Sequence, residues 1–102
     1  MNRGAPPPDS PPDHARLEVW LWRARFAKTR ALAARLVSAG HVRVNGARAQ
    51  APAKAVRPGD VLTIALPRDV RLVRILALGE RRGPASEAQM LFEPVRIGGA
   101  ED

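Results

Sequence analysis

The sequence contains no cysteine and only two histidines. Disulfide bonds and thiolate metal sites are therefore excluded, and the reducing cytosol is the natural compartment for such a chain. No apolar run approaches the roughly 20 residues that a membrane helix needs, and the N-terminus lacks the apolar stretch of a signal peptide. We therefore expect a cytoplasmic protein that has no membrane partner.

Catalytic arrangements are missing as well. His14 lies in a proline-rich N-terminal segment and His41 in a predicted strand, and neither is accompanied by clustered carboxylates, so no metal site is indicated. The serines have no histidine and acid partners in a recognisable motif, and no glycine-rich phosphate loop of the Walker or Rossmann kind occurs. These absences predict a protein that is not an enzyme and that needs no cofactor.

Acidic residues are nearly absent from one half of the chain. Residues 16–57 contain ten basic residues and a single acid, Glu18, whereas the rest of the chain contains seven basic and nine acidic residues. A biased genome composition would explain why most of the bases are arginine, but it would not explain why acids are missing from one half only. Segregated positive charge is typical of a surface that binds nucleic acid. The ten bases are Arg16, Arg23, Arg25, Lys28, Arg30, Arg35, Arg43, Arg48, Lys54 and Arg57.

The length of 102 residues fits one small domain. Residues 1–15 contain five of the ten prolines and almost nothing that packs, which predicts a disordered tail. We expect the folded domain to span residues 16–93, with its central motif at residues 16–66. Residues 94–102 are expected to form a flexible C-terminal tail.

The folded part is predicted to begin with a helix. Two apolar stripes follow the spacing of helix faces, so this helix is expected to lie between a second helix and a sheet. Core packing is the simpler interpretation of both tryptophans, and stacking on a nucleic-acid base is the alternative for Trp22. The first stripe consists of Leu17, Trp20, Leu21 and Ala24, and the second of Val19, Trp22 and Phe26.

A second helix is predicted between Thr29 and Gly40. The Thr29 hydroxyl suits the N-cap, and Gly40 stands where a left-handed residue would end the helix. Lys28 and Arg35 are two helical turns apart on one face, and Arg30 lies near the helix start. Free amides and the helix dipole favour a phosphate at that end.

Residues 41–50 alternate between polar and apolar side chains, and Asn45-Gly46 is the strongest short signal for a two-residue hairpin turn. Such a turn pairs Arg43 with Arg48. Like charges directly opposite each other destabilise a sheet, so this pair favours an anion lying across it. Two side chains splayed into solvent are the alternative. The same register pairs Val44 with Ala47, Val42 with Ala49 and His41 with Gln50.

The remaining residues are predicted to complete the sheet and to add a last helix. Strands are expected at residues 61–66 and 70–78, with a turn between them. Ser86 and Gln89 have the spacing of a capping box at the start of a helix, which Pro94 would end.

Three segments of the sequence resemble one family, the small RNA-binding domain first described in the fourth protein of the ribosomal small subunit. Within that family the chain is most similar to the heat shock protein fifteen group. The resemblance implies an α+β fold, a small single domain in which two N-terminal helices pack on a curved, mainly antiparallel sheet, with a short C-terminal helix. Glu18 stands where the family usually has aspartate. The segments are RLEVWLWRARFAKTRALAARLVSAGHVRVNG, PAKAVRPGDVLTI and RRGPASEAQMLFE.

The resemblance also implies what the protein binds. The second helix and the following hairpin would grip structured RNA, either ribosomal RNA or tRNA. The implied partner is the large ribosomal subunit, and the implied role is rescue or recycling of stalled or aborted translation complexes. We expect a monomer. Two alternatives stay open, a module that guides an RNA-modifying enzyme in trans and a DNA-binding protein, although no recognition helix with base-reading side chains is evident.

The predicted contact residues come from the family motif and from the charge pattern. The motif falls on Arg16, Lys28, Thr29, Arg30, Arg35, His41, Arg43, Asn45 and Lys54. The hairpin turn and the basic segment add Gly46, Arg48 and Arg57.

Overall fold

Residues 13–96 of the computed structural model are described here, and they contain seven strands and three α-helices. This arrangement confirms the predicted α+β class. The proposed tails lie largely at residues 1–12 and 97–102, outside the described residues. In chain order the elements are β1 (Ala15–Arg16), α1 (Leu17–Arg23), α2 (Arg30–Ser38), β2 (Val42–Val44), β3 (Ala47–Arg48), β4 (Ala55–Val56), β5 (Val61–Leu66), β6 (Asp69–Ile75), α3 (Ala85–Ala88), a 3₁₀ turn (Gln89–Leu91) and β7 (Phe92–Pro94).

The first helix ends earlier than the apolar stripes predicted. Arg25 adopts a left-handed conformation with φ of 67°, its amide donates to the Trp22 carbonyl at 3.1 Å, and the Phe26 amide donates to the Leu21 carbonyl at 2.9 Å. These two bonds form a Schellman closure with arginine in the place of the usual glycine. Phe26 therefore lies beyond α1, and because the chain reverses there, its ring stacks on Trp20 with centroids 6.0 Å apart.

Both predicted ends of the second helix are confirmed. The Thr29 hydroxyl accepts a hydrogen bond from the Leu32 amide at 3.0 Å. Gly40 has φ of +85°, and the His41 amide donates to the Leu36 carbonyl at 3.0 Å. The left-handed conformation at Gly40 is one that residues with a Cβ rarely adopt, which explains the glycine.

Five strands form an antiparallel sheet in the order β3-β2-β5-β6-β7, and β1 pairs with β4 in a separate two-stranded sheet. The predicted hairpin is confirmed: Asn45 and Gly46 have φ of 51° and 88°, and Arg43 pairs with Arg48. The ladder contains the predicted pairs of Arg43 with Arg48 and Val44 with Ala47. Beyond the end of β3 at Arg48, the Ala49 amide still donates to the Val42 carbonyl at 3.0 Å, but the predicted pair of His41 with Gln50 is not part of the ladder.

The sixth strand ends at Ile75 and not at Leu78 as predicted. The amides of Leu76 and Ala77 both donate to the Leu91 carbonyl, at 2.8 and 3.2 Å. The Ala77 carbonyl accepts the Trp20 indole N–H at 2.9 Å. These contacts direct the chain over α1, so it leaves the sheet.

The predicted capping box is wrong. Ser86 lies inside α3, whose N-cap is Pro84. The helical segment gives way to β7 before it reaches Pro94, because the Phe92 ring packs at 4.9 Å from Phe26. Since β7 is an edge strand, it tolerates a proline.

The core lies between the helices and one face of the sheet. Trp20 is fully buried, as predicted, and Trp22 is half-buried against the core. None of the helices within residues 13–96 is long and apolar enough to cross a membrane. The largest fully buried side chains are Trp20, Leu17, Leu21, Leu62, Ile64, Ile75, Val37, Val42, Val56 and Val73.

Candidate nucleic-acid interface

One buried acid organises the cations at the start of the two long helices. Glu18 is 7% exposed, and its carboxylate lies 3.1 Å from the Arg16 guanidinium and 3.6 Å from that of Arg30. Arg16 precedes α1 and Arg30 opens α2, so Glu18 ties the two starts together. Both arginine side chains stay more than half exposed. The Lys54 carbonyl accepts the Leu17 amide at 2.9 Å, which places the Lys54 backbone beside this group.

The hairpin carries a second pair of cations. Arg43 and Arg48 lie opposite each other on β2 and β3, and both are exposed. Within residues 13–96, neither guanidinium lies within ion-pair distance of a carboxylate. The Arg48 guanidinium lies against Gly40, where an added Cβ would be 2.8 Å from Nη2. A positive charge next to the C-terminal end of α2 is favoured by the helix dipole.

A third group surrounds an open hollow of about 550 Å³ beside α2. Its basic lining consists of Lys28, Arg35 and His41, and no acid lines it. The predicted alignment of Lys28 and Arg35 on one side of α2 agrees with this position. The rest of its lining is apolar and includes Leu32, which is 42% exposed.

The uncharged candidates have structural roles. The Asn45 side-chain oxygen accepts the Val61 amide at 2.9 Å, and its amide nitrogen donates to the Asp60 carboxylate at 3.1 Å. The same carboxylate accepts the Arg57 backbone amide at 2.9 Å, which leaves the Arg57 guanidinium exposed. Gly46 supplies the left-handed residue of the turn. Asn45 and Gly46 therefore fix the shape of the hairpin, as Thr29 fixes the start of α2, and RNA contact by these three residues stays a prediction.

Acids of the C-terminal third leave the candidate cations unneutralised in the described part of the chain. Glu93 pairs with Arg74 at 2.9 Å, and Glu87 pairs with Arg81 at 2.6 Å. Glu87 and Glu93 are thus engaged by C-terminal arginines, and no acid of the described C-terminal third pairs with a predicted contact residue.

Two bases of that segment instead hold the fold together. An Arg23 guanidinium nitrogen donates to the Gly79 carbonyl at 2.9 Å, and Arg25 Nε donates to the Gly83 carbonyl at 2.8 Å. Neither was among the predicted contact residues. Both connect α1 and the turn after it to the C-terminal segment.

Sequence reasoning missed Arg71. Its guanidinium carbon lies 5.4 Å from the ring centroid of Phe26 and 5.9 Å from that of Phe92. One signal in the sequence could have identified it. Arg71 lies on the same face of β6 as Val73 and Ile75, which are buried in the core, so it is an arginine on the inward face of a strand.

Comparison with known proteins first defines the class. The family model of the S4 domain matches residues 15–62. This span holds all twelve predicted contact residues as well as the two long helices and the hairpin. The chain therefore carries an S4 RNA-binding domain, as the resemblance predicted.

Relatives then define the family. Heat shock protein 15 from Escherichia coli is 45% identical over 85 residues, and the match covers 83% of this chain and 63% of the relative, so the chain spans less than two thirds of that relative's length. A solved structure of heat shock protein 15 from Vibrio cholerae, described as trimeric, has 40% identity and a TM-score of 0.76, covering 80% of this chain and 82% of that one. Small ribosomal subunit protein uS4 from Fervidobacterium nodosum is 49% identical over 49 residues, 48% of this chain and 23% of the relative. The chain belongs to the heat shock protein 15 family of S4-domain proteins.

Proposed function

We propose that this chain is a non-enzymatic protein that binds structured RNA through the exposed cations at the start of α1, along α2 and on the β2–β3 hairpin. One observation carries the proposal: the exposed side chains of Arg43 and Arg48 occupy paired positions on β2 and β3, and no carboxylate of residues 13–96 lies within ion-pair distance of them. Two like charges held opposite each other lower stability unless an anion lies across them. The phosphate backbone of a folded RNA supplies such an anion.

The salt dependence of RNA affinity tests this assignment. Each neutralised phosphate contributes about 0.7 to 0.9 to the slope of log affinity against log salt concentration, so about five contacts give a slope near −4. Arg43→Gln should make the slope shallower by about one contact and weaken binding to a labelled RNA stem–loop, measured by fluorescence anisotropy.

Arg74→Gln is the matched control, because it removes the same charge from a guanidinium that Glu93 already pairs at 2.9 Å. Its slope should equal that of the unmodified chain. If Arg43→Gln and Arg74→Gln lose equal amounts of RNA affinity, binding depends on net charge alone and the assigned surface is wrong.

The proposed RNA is ribosomal RNA or tRNA on the large ribosomal subunit, and the proposed role is the rescue or recycling of stalled or aborted translation complexes. Membership in the heat shock protein 15 family supports this role, as does the similarity to ribosomal protein uS4 over the S4 segment. Sucrose-gradient sedimentation of a lysate should place the chain with free large subunits, and Arg43→Gln should move it toward the top of the gradient. Sedimentation of the unmodified chain at the top, or only with intact ribosomes, would contradict the role.

The proposed acting form is a monomer in the cytoplasm. The monomer is supported by the fact that one copy carries all the proposed contact residues. The Vibrio cholerae relative has a structure described as trimeric, which makes the mass of the free and RNA-bound chain by light scattering a direct test. If both the free and the RNA-bound chain have the mass expected for a trimer, the proposal of a monomer is wrong.

A further inference from the structure

We propose that a groove next to the cationic surface binds unpaired nucleotides, with a base on its apolar lining and the flanking phosphates on its basic rim. This inference rests on the proposed RNA binding and makes it more specific. It predicts that the preferred RNA is a stem interrupted by unpaired residues and not a continuous duplex.

The groove consists of two neighbouring hollows. The first, of about 550 Å³, is the one lined by Lys28, Arg35 and His41. The second, of about 460 Å³, has Arg25 and Arg71 in its lining. Phe26 and Leu66 line both hollows, so the two hollows adjoin at these side chains, the first beside α2 and the second beside β6 and α3. We call the two hollows together the basic groove.

Part of the basic groove is lined by apolar side chains. A surface that bound only phosphates would not need such a lining. Leu32 is 42% exposed in the first hollow, and the half-buried Phe26 and Leu66 belong to the apolar lining of both hollows. Nucleic-acid bases have flat faces that stack on aromatic and apolar side chains with little regard to sequence. An exposed apolar lining is therefore suited to the face of a base.

The rim of the basic groove selects an anion. No acid lines either hollow, and Lys28, Arg35 and Arg71 have no carboxylate partner within residues 13–96. Charge complementarity thus favours a polyanion over an apolar peptide. In a continuous duplex the base faces are stacked on one another, so only unpaired nucleotides can present a base to the apolar lining while their phosphates meet the rim.

The second hollow adds features that suit a base. The guanidinium carbon of Arg71 lies 5.4 and 5.9 Å from the ring centroids of Phe26 and Phe92, and an arginine guanidinium can also stack on a base. Gln89 lines the same hollow, and its amide can both donate to and accept from a base edge.

Three labelled RNA duplexes, each annealed from two strands and with the same paired sequence, test the proposal. One is fully paired, one carries a bulge of unpaired nucleotides, and one carries the same bulge without bases. Stacking one base contributes about 1 to 3 kcal/mol, which corresponds to about five- to 150-fold in affinity. We expect the intact chain to bind the bulged RNA about tenfold tighter than the paired RNA, and the abasic bulge should remove this preference.

Two variants with matched controls assign the preference to the groove. Leu32→Ser should reduce the ratio of bulged to paired affinity to about twofold, whereas Leu76→Ser, at a leucine that is 47% exposed outside the groove, should keep it. Arg71→Gln should also reduce the ratio, whereas Arg74→Gln, on the opposite face of the same strand, should keep it. Circular dichroism of each variant checks that the fold is retained.

Equal affinity of the intact chain for paired and bulged RNA would overturn the groove as a base site. So would a ratio that stays near tenfold in both Leu32→Ser and Arg71→Gln. Either result leaves the broader RNA-binding proposal intact if Arg43→Gln still weakens binding to the fully paired duplex. If Arg43→Gln has no effect on any of the three RNAs, the broader proposal fails.

Discussion

Two arginines that are equivalent in the sequence have opposite surroundings in the structure. Arg30 lies 3.6 Å from the carboxylate of the buried Glu18, whereas Arg43 faces a second arginine across the hairpin. Both were predicted to be surface cations on the basis of charge. The structure distinguishes one that supports the fold from one that is free to bind a ligand.

Charge reversal should separate these two roles. Arg30→Glu brings a second carboxylate up to Glu18, and we expect the free energy of unfolding to fall by about 1 to 2 kcal/mol because a buried acid loses one partner and gains a repelling neighbour. Arg43→Glu places opposite charges across the hairpin, so stability should stay the same or rise by a few tenths of a kcal/mol.

Urea denaturation followed by circular dichroism measures both effects. Arg30→Gln is the control, since it removes the pair without adding a charge, and its loss should be smaller than that of Arg30→Glu. Equal stability of Arg30→Glu and Arg43→Glu would show that Glu18 does not organise the helix starts.

At the scale of elements, the end of α2 links the fold to the cationic surface. Gly40 and Gly59 both have positive φ, +85° and +98°, but only Gly40 has a guanidinium next to it, that of Arg48. Alanine at either position should cost about 1 kcal/mol of stability, because a Cβ strains a left-handed residue. Only Gly40→Ala should also weaken RNA binding, since its methyl group displaces Arg48.

Thermal melts and anisotropy titrations of the two variants test this difference. Gly59→Ala controls for backbone strain, as nothing lies within 4 Å of its Cβ position. If RNA affinity falls equally in both variants, the position of Arg48 over Gly40 has no part in binding.

The elements that the sequence predicted correctly are those whose signals are local. The cap of α2 at Thr29, its closure at Gly40 and the Asn45-Gly46 turn each depend on residues a few positions apart. The end of α1 was missed because arginine occupies a position that usually takes glycine. The last helix was misplaced because the strand at Phe92 depends on packing against Phe26, far away in the sequence.

The candidate site divides in the same way. Segregated charge and the family motif identified the cations of α2 and the hairpin, and the structure brings Lys28, Arg35 and His41 around one hollow. The basic groove was not predicted because its second hollow is lined by the turn after α1, β6 and α3. These segments are far apart in the sequence, and no local sequence pattern indicates that they lie together. Asn45 carried a motif match, but only the structure showed that its side chain holds Asp60 and Val61.

For the whole molecule, the S4 match at residues 15–62 is shorter than the folding unit. Val73 and Ile75 of β6 belong to the buried core, and the Trp20 indole donates to the Ala77 carbonyl. Removing everything after Leu66 would leave one edge of β5 without its partner strand and Trp20 without its polar partner.

We therefore expect a chain truncated after Leu66 to lose cooperative unfolding, although it retains every residue of the S4 match. Urea and thermal denaturation of the truncated chain and of the full chain compare them, and the full chain should show one sigmoidal transition. A cooperative transition in the truncated chain would show that the N-terminal segment folds by itself.

The arginine pair on the hairpin also sets how the free protein and its complex respond to ionic strength. Added salt screens the repulsion between the like charges of Arg43 and Arg48 and so reduces its cost to the stability of the free protein. The same salt weakens the hold on phosphates. High salt therefore stabilises the unbound protein and at the same time weakens its binding of RNA. Low salt has the opposite effect on both, because both depend on the same pair of arginines in the hairpin.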